Sequence, residues 1–276
     1  MELWLGDRRY DVTTRALVMG ILNRTPDSFY DRGAHWDLDR FFRLAEAHVT
    51  AGADLLDVGG VKAGPGPEVT EAEELERVVP AIEALRARFD VPLSVDTWRA
   101  PVAAASYAAG AVVGNDISGF ADPDYLDAAA AAGATVVATH IRLAPRVADP
   151  DPAYDDVVED VRAFLLARAA AAEAAGIPPA RIVLDAGLDL GKTWQQSLAL
   201  LRASDRLASC GFVLLLSASN KTFLGKLLDL EIDERRLASH AAHALGVQLG
   251  CRILRAHDVK GARRVADVVA AMLEAA

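Results

Sequence analysis

Ala51-Gly52-Ala53-Asp54-Leu55-Leu56-Asp57 contains the end of one element and the whole of the next. An alanine-rich helical stretch stops at Gly52, a residue able to take the left-handed conformation at a helix C-terminus. A short apolar run follows and closes on a carboxylate. The same logic recurs in Ala109-Gly110-Ala111-Val112-Val113-Gly114-Asn115 and, without the closing polar residue, in Ala132-Gly133-Ala134-Thr135-Val136-Val137. Further runs are Ala16–Leu22 before Asn23, Pro92–Val95 before Asp96, Arg181–Leu184 before Asp185, Phe212–Leu216 before Ser217, and Arg252–Leu254 before Arg255 and His257. That makes eight continuous apolar runs rather than alternating ones, the pattern of strands buried on both faces of a parallel sheet. Between them lie amphipathic helical stretches: 38–50, 72–89, 155–175, 233–249 and 259–274. Eight strands alternating with helices through right-handed crossovers predict a (β/α)8 TIM barrel, with a doubly wound open sheet as the runner-up. No linker or composition step divides residues 1–276, so one domain is expected.

Composition narrows the function. The chain of 276 residues is 52% hydrophobic and 25% charged, apolar enough to bury a full core. Its formal charge of −10 argues against general affinity for nucleic acid or anionic membranes. The two cysteines, Cys210 and Cys251, have no zinc or redox spacing and suit a reducing compartment. The N-terminus lacks a signal-peptide layout and no apolar run reaches a membrane-spanning length. A cytoplasmic location is the expectation.

In a barrel of this kind the C-terminal ends of the strands converge on one mouth. The ends read Asn23, Asp57, Asp96, Asn115 with Asp116, His140, Asp185, Ser217 with Ser219, and Arg255 with His257. Any single Asp or Asn there is best read as a loop cap; a polar group at nearly every end is not. Asp96, Asn115 and Asp185 suit a flat heterocycle rich in N–H donors. Lys221, Arg255 and His257 supply positive charge suited to a phosphate or pyrophosphate, and the stretch from Ser219 opens a helix whose N-terminus favours an anion. An amino-heterocycle joined to a leaving diphosphate fits both halves. Gly187-Leu188-Asp189-Leu190-Gly191-Lys192-Thr193 approaches a nucleotide phosphate loop but is one residue too short.

Taken together, these blocks resemble the dihydropteroate synthase family. Met19-Gly20-Ile21-Leu22-Asn23-Arg24-Thr25-Pro26-Asp27-Ser28-Phe29 looks like its opening signature. Asp57-Val58-Gly59-Gly60, Ser94-Val95-Asp96-Thr97, Asn115-Asp116-Ile117-Ser118-Gly119, Asp185-Ala186-Gly187, Ser219-Asn220-Lys221 and Arg255-Ala256-His257 match further blocks in order. The resemblance implies a homodimeric barrel joining 6-hydroxymethyl-7,8-dihydropterin diphosphate to p-aminobenzoate, with release of magnesium-bound pyrophosphate. It implies that Asp96, Asn115, Asp185 and Lys221 hold the pterin, that Asn23 ligates Mg²⁺, and that Arg255 and His257 bind the diphosphate. Asp31, with Asp96, would stabilise the cationic pterin methylene, and Thr222 matches the position facing the benzoate carboxylate.

The departures are concentrated. The family's E-S-T-R-P-G loop is here Val61-Lys62-Ala63-Gly64-Pro65-Gly66, with Gly64 at the arginine position. Arg24 replaces a small apolar residue and Tyr30-Asp31-Arg32-Gly33 replaces S-D-G-G. Asp189 and Leu190 replace a glycine and an aromatic, Asn220 an arginine, and Thr139 a methionine. The pterin and diphosphate positions survive while the p-aminobenzoate side is rewritten. This pattern resembles the divergent second paralogue of actinobacteria and implies a p-aminobenzoate rate far below that of a typical member. A non-catalytic or regulatory pterin-binding paralogue is the alternative. Pterin-dependent methyl transfer to a corrinoid is disfavoured, because it has no use for Lys221, Arg255 and His257. His35, His48, His240 and His243 read as surface or packing residues, His140 as structural, Trp36, Trp98 and Trp194 as helix-start packing, and Lys62 as solvated.

Overall fold

The computed structural model describes residues 1–24 and 38–275. The chain starts with an antiparallel hairpin, β1 (Glu2–Leu5) and β2 (Arg8–Asp11), turning at Gly6, which has φ +59°. Its first strand alternates: Leu3 and Leu5 are buried while Glu2 is exposed, the period-2 pattern of a half-covered ribbon.

Eight parallel strands then close a barrel: β3 (Leu17–Asn23), β4 (Leu55–Gly59), β5 (Leu93–Asp96), β6 (Val113–Asp116), β7 (Thr135–Thr139), β8 (Ile182–Asp185), β9 (Val213–Leu216) and β10 (Cys251–Ala256). They pair in chain order and β10 closes onto β3, with Arg255 opposite Met19. The expected eight-stranded TIM barrel is the fold, and the open-sheet alternative is excluded. The intervening helices are α1 (Leu38–Thr50), α2 (Glu71–Arg86), α3 (Ala100–Ala108), α4 (Tyr125–Ala131), α5 (Val157–Ala174), α6 (Trp194–Arg202), α7 (Ser204–Ala208), α8 (Thr222–Leu228), α9 (Arg236–Gln248) and α10 (Val259–Glu274). Among the described residues, no helix is long and apolar enough to cross a membrane.

Two apolar layers hold this together. Leu22, Val58, Val95, Val136, Leu184 and Leu254 face outward onto the helices. Leu17, Met19, Leu55, Val113, Val137 and Val183 fill the barrel, and Leu3 and Leu5 of the hairpin pack against them. The hairpin therefore plugs the N-terminal end and leaves the C-terminal end as the mouth. Arg181 donates to Gly6 O at 2.8 Å, and the Thr135 hydroxyl donates to Trp4 O, fixing the plug to the barrel.

Helix starts follow from local chemistry. Thr70 with Glu73, and Thr193 with Gln196, form reciprocal capping boxes, and the Asp156 carboxylate accepts from the Val158 and Glu159 amides. Thr193 thus ends the phosphate-loop near-miss as the cap of α6. The helix expected over 233–249 begins later, at Arg236, because Ile232–Glu234 winds a separate 3₁₀ turn.

The plug makes a direct prediction. Leu5→Ala should cost about 2–4 kcal/mol of unfolding free energy in urea, through lost burial and a residual cavity. Glu2→Ala, on the exposed side of the same strand, should change it by less than about 0.5 kcal/mol; equal effects would refute the plug.

Candidate active site at the barrel mouth

The mouth is organised around one carboxylate. Asp57, on β4, is fully buried. Its Oδ1 accepts from the Ser94 hydroxyl at 2.6 Å; its Oδ2 accepts from Asn115 Nδ2 at 3.1 Å and from Arg255 Nε at 2.6 Å. The second arm of Arg255 reaches Asp96 Oδ2 at 2.7 Å. Adjacent parallel strands place β4, β5 and β6 in register, with Gly59 opposite Asp96 and Asp96 opposite Asn115. Four strands thus contribute to one buried hydrogen-bonded network.

Two carboxylates share one guanidinium here. Burial raises the Asp96 carboxyl to about 7; Arg255 opposes the rise and the neighbouring Asp57 charge adds to it. Burial likewise raises Asp185, whose Oδ1 accepts the Gly187 amide at 2.8 Å. Gly187 is obligatory: φ is +65°, and a Cβ there would lie 1.9 Å from His140 O.

The cationic side differs in charge from the expectation drawn from residue types. Burial, then the positive charges of Arg255 and others, push His257 down to about 4, so it is a neutral hydrogen-bonding ring. Its Nδ1 lies 3.0 Å from the Ser219 hydroxyl. Burial also lowers Lys221, which donates to Leu188 O at 3.0 Å. Arg255 carries its charge already paired. Thr222 opens α8 and is exposed.

Asn23 ends β3 opposite Gly59. A Cβ on Gly59 would meet Asp96 Oδ2 at 3.5 Å and Asn23 Oδ1 at 3.6 Å, so the bare glycine leaves room between two hard oxygen donors. That donor chemistry fits Mg²⁺ completed by water and phosphate oxygens. Among the described residues, no group of three or more His, Cys, Asp or Glu could hold a metal by itself. Asp31, His35 and Trp36 lie outside the described residues.

Several contributors escaped the residue-type reading. Asp57 was visible as a strand end, but nothing in its type marked it as the hub. Lys192 is buried and donates to Gly187 O, Leu190 O and His140 O at 2.9, 3.0 and 3.3 Å, with its Nζ 2.9 Å from His140 Nδ1. Burial lowers Lys192 to about 7, and burial with the adjacent ammonium lowers His140 to about 3. His140 is therefore the acceptor of that contact, a structural post as expected. Asp189, at φ +66°, accepts the Phe223 amide at 3.2 Å at the start of α8, so its carboxylate works as a helix cap. His243 is buried, in keeping with a packing role, and Lys62 is exposed.

With this geometry in place, comparison with known proteins identifies the class. A family model described as pterin binding enzyme matches residues 19–257. The chain belongs to the pterin-binding enzyme family. Within it, the inactive dihydropteroate synthase 2 of Mycobacterium leprae is 43% identical over 264 residues, covering 94% of this chain and 91% of that protein. The dihydropteroate synthase of Bacillus subtilis is 39% identical over 261 residues, covering 94% and 89%. The crystal structure of Yersinia pestis dihydropteroate synthase with a sulfonamide drug complex superposes with a TM-score of 0.93 at 39% identity, covering 100% of both chains.

The Asp96 environment predicts a pH effect on stability. An ordinary Asp titrates near 3.8 and Asp96 near 7, so folding retains a proton between those values and stability falls as pH rises through that window. Asp96→Asn removes that dependence. The stability of the variant relative to the native chain should therefore be about 1–3 kcal/mol more favourable at pH 8 than at pH 5 in urea titrations. A pH-independent difference would contradict the assignment.

Proposed function

We propose that this protein binds 6-hydroxymethyl-7,8-dihydropterin diphosphate at the barrel mouth as a member of the folate-synthesis branch of its family, with p-aminobenzoate transfer weak or lost. The observation that carries this reading is the intact polar set Asp96, Asn115, Asp185, Lys221, Arg255 and His257 around one mouth, beside a rewritten β4–α2 loop.

In this reading Asp96, Asn115 and Asp185 accept from and donate to the pterin ring, and Lys221 lies across it. Arg255 exchanges its Asp96 partner for a phosphate oxygen and keeps Asp57. That exchange frees the Asp96 carboxylate for the ligand's N–H groups. His257, held by Ser219, donates to the diphosphate. Asn23 would hold Mg²⁺, which neutralises developing charge on the leaving diphosphate. In transfer, the bond between the pterin methylene carbon and the diphosphate oxygen breaks, its electron pair leaving with pyrophosphate. Asp31 and Asp96 stabilise the cationic methylene electrostatically. An aryl amine nitrogen then attacks the methylene and loses a proton. Thr222, exposed at the start of α8, is positioned for an acceptor carboxylate.

Weak transfer follows from the acceptor side. Gly64 supplies neither the charge nor the fork of an arginine, and Leu190 offers no aromatic face. The 43%-identical relative bearing the word inactive in its name favours the second reading, a pterin-binding paralogue without synthase activity. A homodimer is part of the proposal, supported by exposed Ile232 and Leu237 near the start of α9, Leu245 later in it, and Val268 and Met272 on α10. So is a cytoplasmic location, suited to the free thiols.

Isothermal titration with the pterin diphosphate and Mg²⁺ tests the reading. Binding should weaken as pH falls through about 7, as Asp96 gains a proton, and should weaken about 10–100-fold in Asn115→Ala. Pyrophosphate release with p-aminobenzoate should fall well below that of the Bacillus subtilis enzyme assayed alongside. No binding at any pH would remove the pterin reading; a rate equal to the Bacillus enzyme would remove the weak-transfer clause.

A further inference from the structure

The loop after β4 has lost its own arginine position, yet a guanidinium reaches it from elsewhere. Arg146 lies in the β7–α5 connection with φ +67°. Its amide donates to Ala63 O at 3.1 Å. Its guanidinium donates to Lys62 O at 3.3 Å and to Pro67 O. One residue therefore contacts three carbonyls spread along a short Gly/Pro-rich segment.

The segment carrying Arg146 is itself braced. Arg142 and Asp149 form a two-pronged ion pair across its base, with Nε to Oδ2 at 2.5 Å and a terminal nitrogen to Oδ1 at 2.7 Å. The Val147 amide closes a turn onto Ala144 O at 3.2 Å. Further along, the Tyr154 hydroxyl donates to Gly191 O at 2.7 Å and ties the connection to the β8–α6 loop. Arg146 projects from a finger anchored at both ends.

Two cavities flank the contact. One of about 410 Å³ lies between the β4–α2 loop and α2, lined by Val61, Lys62, Val69, Arg77 and Arg146. Another of about 160 Å³ lies toward the mouth, lined by Gly64, Pro65, Leu143, Arg146, Leu190 and Lys192. The β4–α2 loop is the partition between them, and Arg146 touches both.

We propose that Arg146 is a positioning residue that straps the β4–α2 loop to the β7–α5 finger and so presents the acceptor side of the mouth as a preformed wall. An arginine within the loop would have to be ordered together with it. Here the charge arrives on a braced element, and the loop supplies only main-chain carbonyls. This removes side-chain requirements from residues 62–66 and accounts for a loop of small residues and prolines keeping a defined path. The proposal rests on the pterin reading for the identity of the neighbouring substrate, but the strap itself does not.

Hydrogen–deuterium exchange on the full chain, with Arg146→Ala and Arg146→Lys, tests it. Arg146→Ala should speed exchange of amides in residues 61–69 by about tenfold, from the loss of two hydrogen bonds, with other barrel peptides unchanged. Arg146→Lys, keeping a donor but not the fork, should recover part of the protection. In isothermal titration the Kd for the pterin diphosphate with Mg²⁺ should stay within about twofold in Arg146→Ala, since the strap lies away from the strand ends. Unchanged exchange in Arg146→Ala, or loosening spread over the whole barrel with no recovery in Arg146→Lys, would overturn the strap. Absence of pterin diphosphate binding in the native chain would sink the functional reading alone, since exchange still decides the strap.

Discussion

The Asp57–Arg255 ion pair holds the mouth together. Asp57 is fully buried, and a buried carboxylate is tolerable only when its lone pairs are filled. Ser94, Asn115 and Arg255 fill them. Because those partners stand on β5, β6 and β10, this single requirement fixes the relative positions of four strand ends. The second arm of Arg255 then brings Asp96 into the same network. Removing Asp57 would leave Arg255 with one partner and Asn115 without its anchor, so the polar wall depends on a residue that need not touch a ligand.

The two sides of the mouth are built by different means. The Asp96–Asn115–Asp185 side stands on strand ends, where parallel pairing sets register and side chains cannot drift. The side that carries Gly64 and Leu190 stands on loops. Asp189 and Arg146 use their side chains to fix loop geometry there. That side is held largely through main-chain carbonyls. Among the chain's relatives are a dihydropteroate synthase and an inactive dihydropteroate synthase 2.

The barrel was legible because several of its strands carry short apolar runs closed by a polar residue or glycine, as in Leu17–Asn23 and Ile182–Asp185; burial on both faces favours that composition. The site was legible as a set of strand-end residues. Its electrostatics were not. His257 reads as a cation by type, yet burial beside Arg255 makes it neutral. Arg255 reads as a free phosphate ligand, yet Asp57 and Asp96 already hold it. Lys192 reads as part of a failed phosphate loop, and the fold alone shows its ammonium gathering carbonyls from two loops. The hairpin plug left no signal beyond two alternating leucines. Arg146 lies about eighty residues from the loop it holds, a separation that no local motif encodes.

In the proposed function a bound diphosphate rearranges Arg255, which stands between the carboxylates of Asp57 and Asp96. A crystal structure with the pterin diphosphate and Mg²⁺ bound tests this most directly. The expected result is Arg255 still on Asp57 but moved from Asp96 to a phosphate oxygen, with the Asp96 carboxylate on the pterin ring. An intact Arg255–Asp96 pair with the ligand bound, or a ligand seated away from the strand ends, would contradict it.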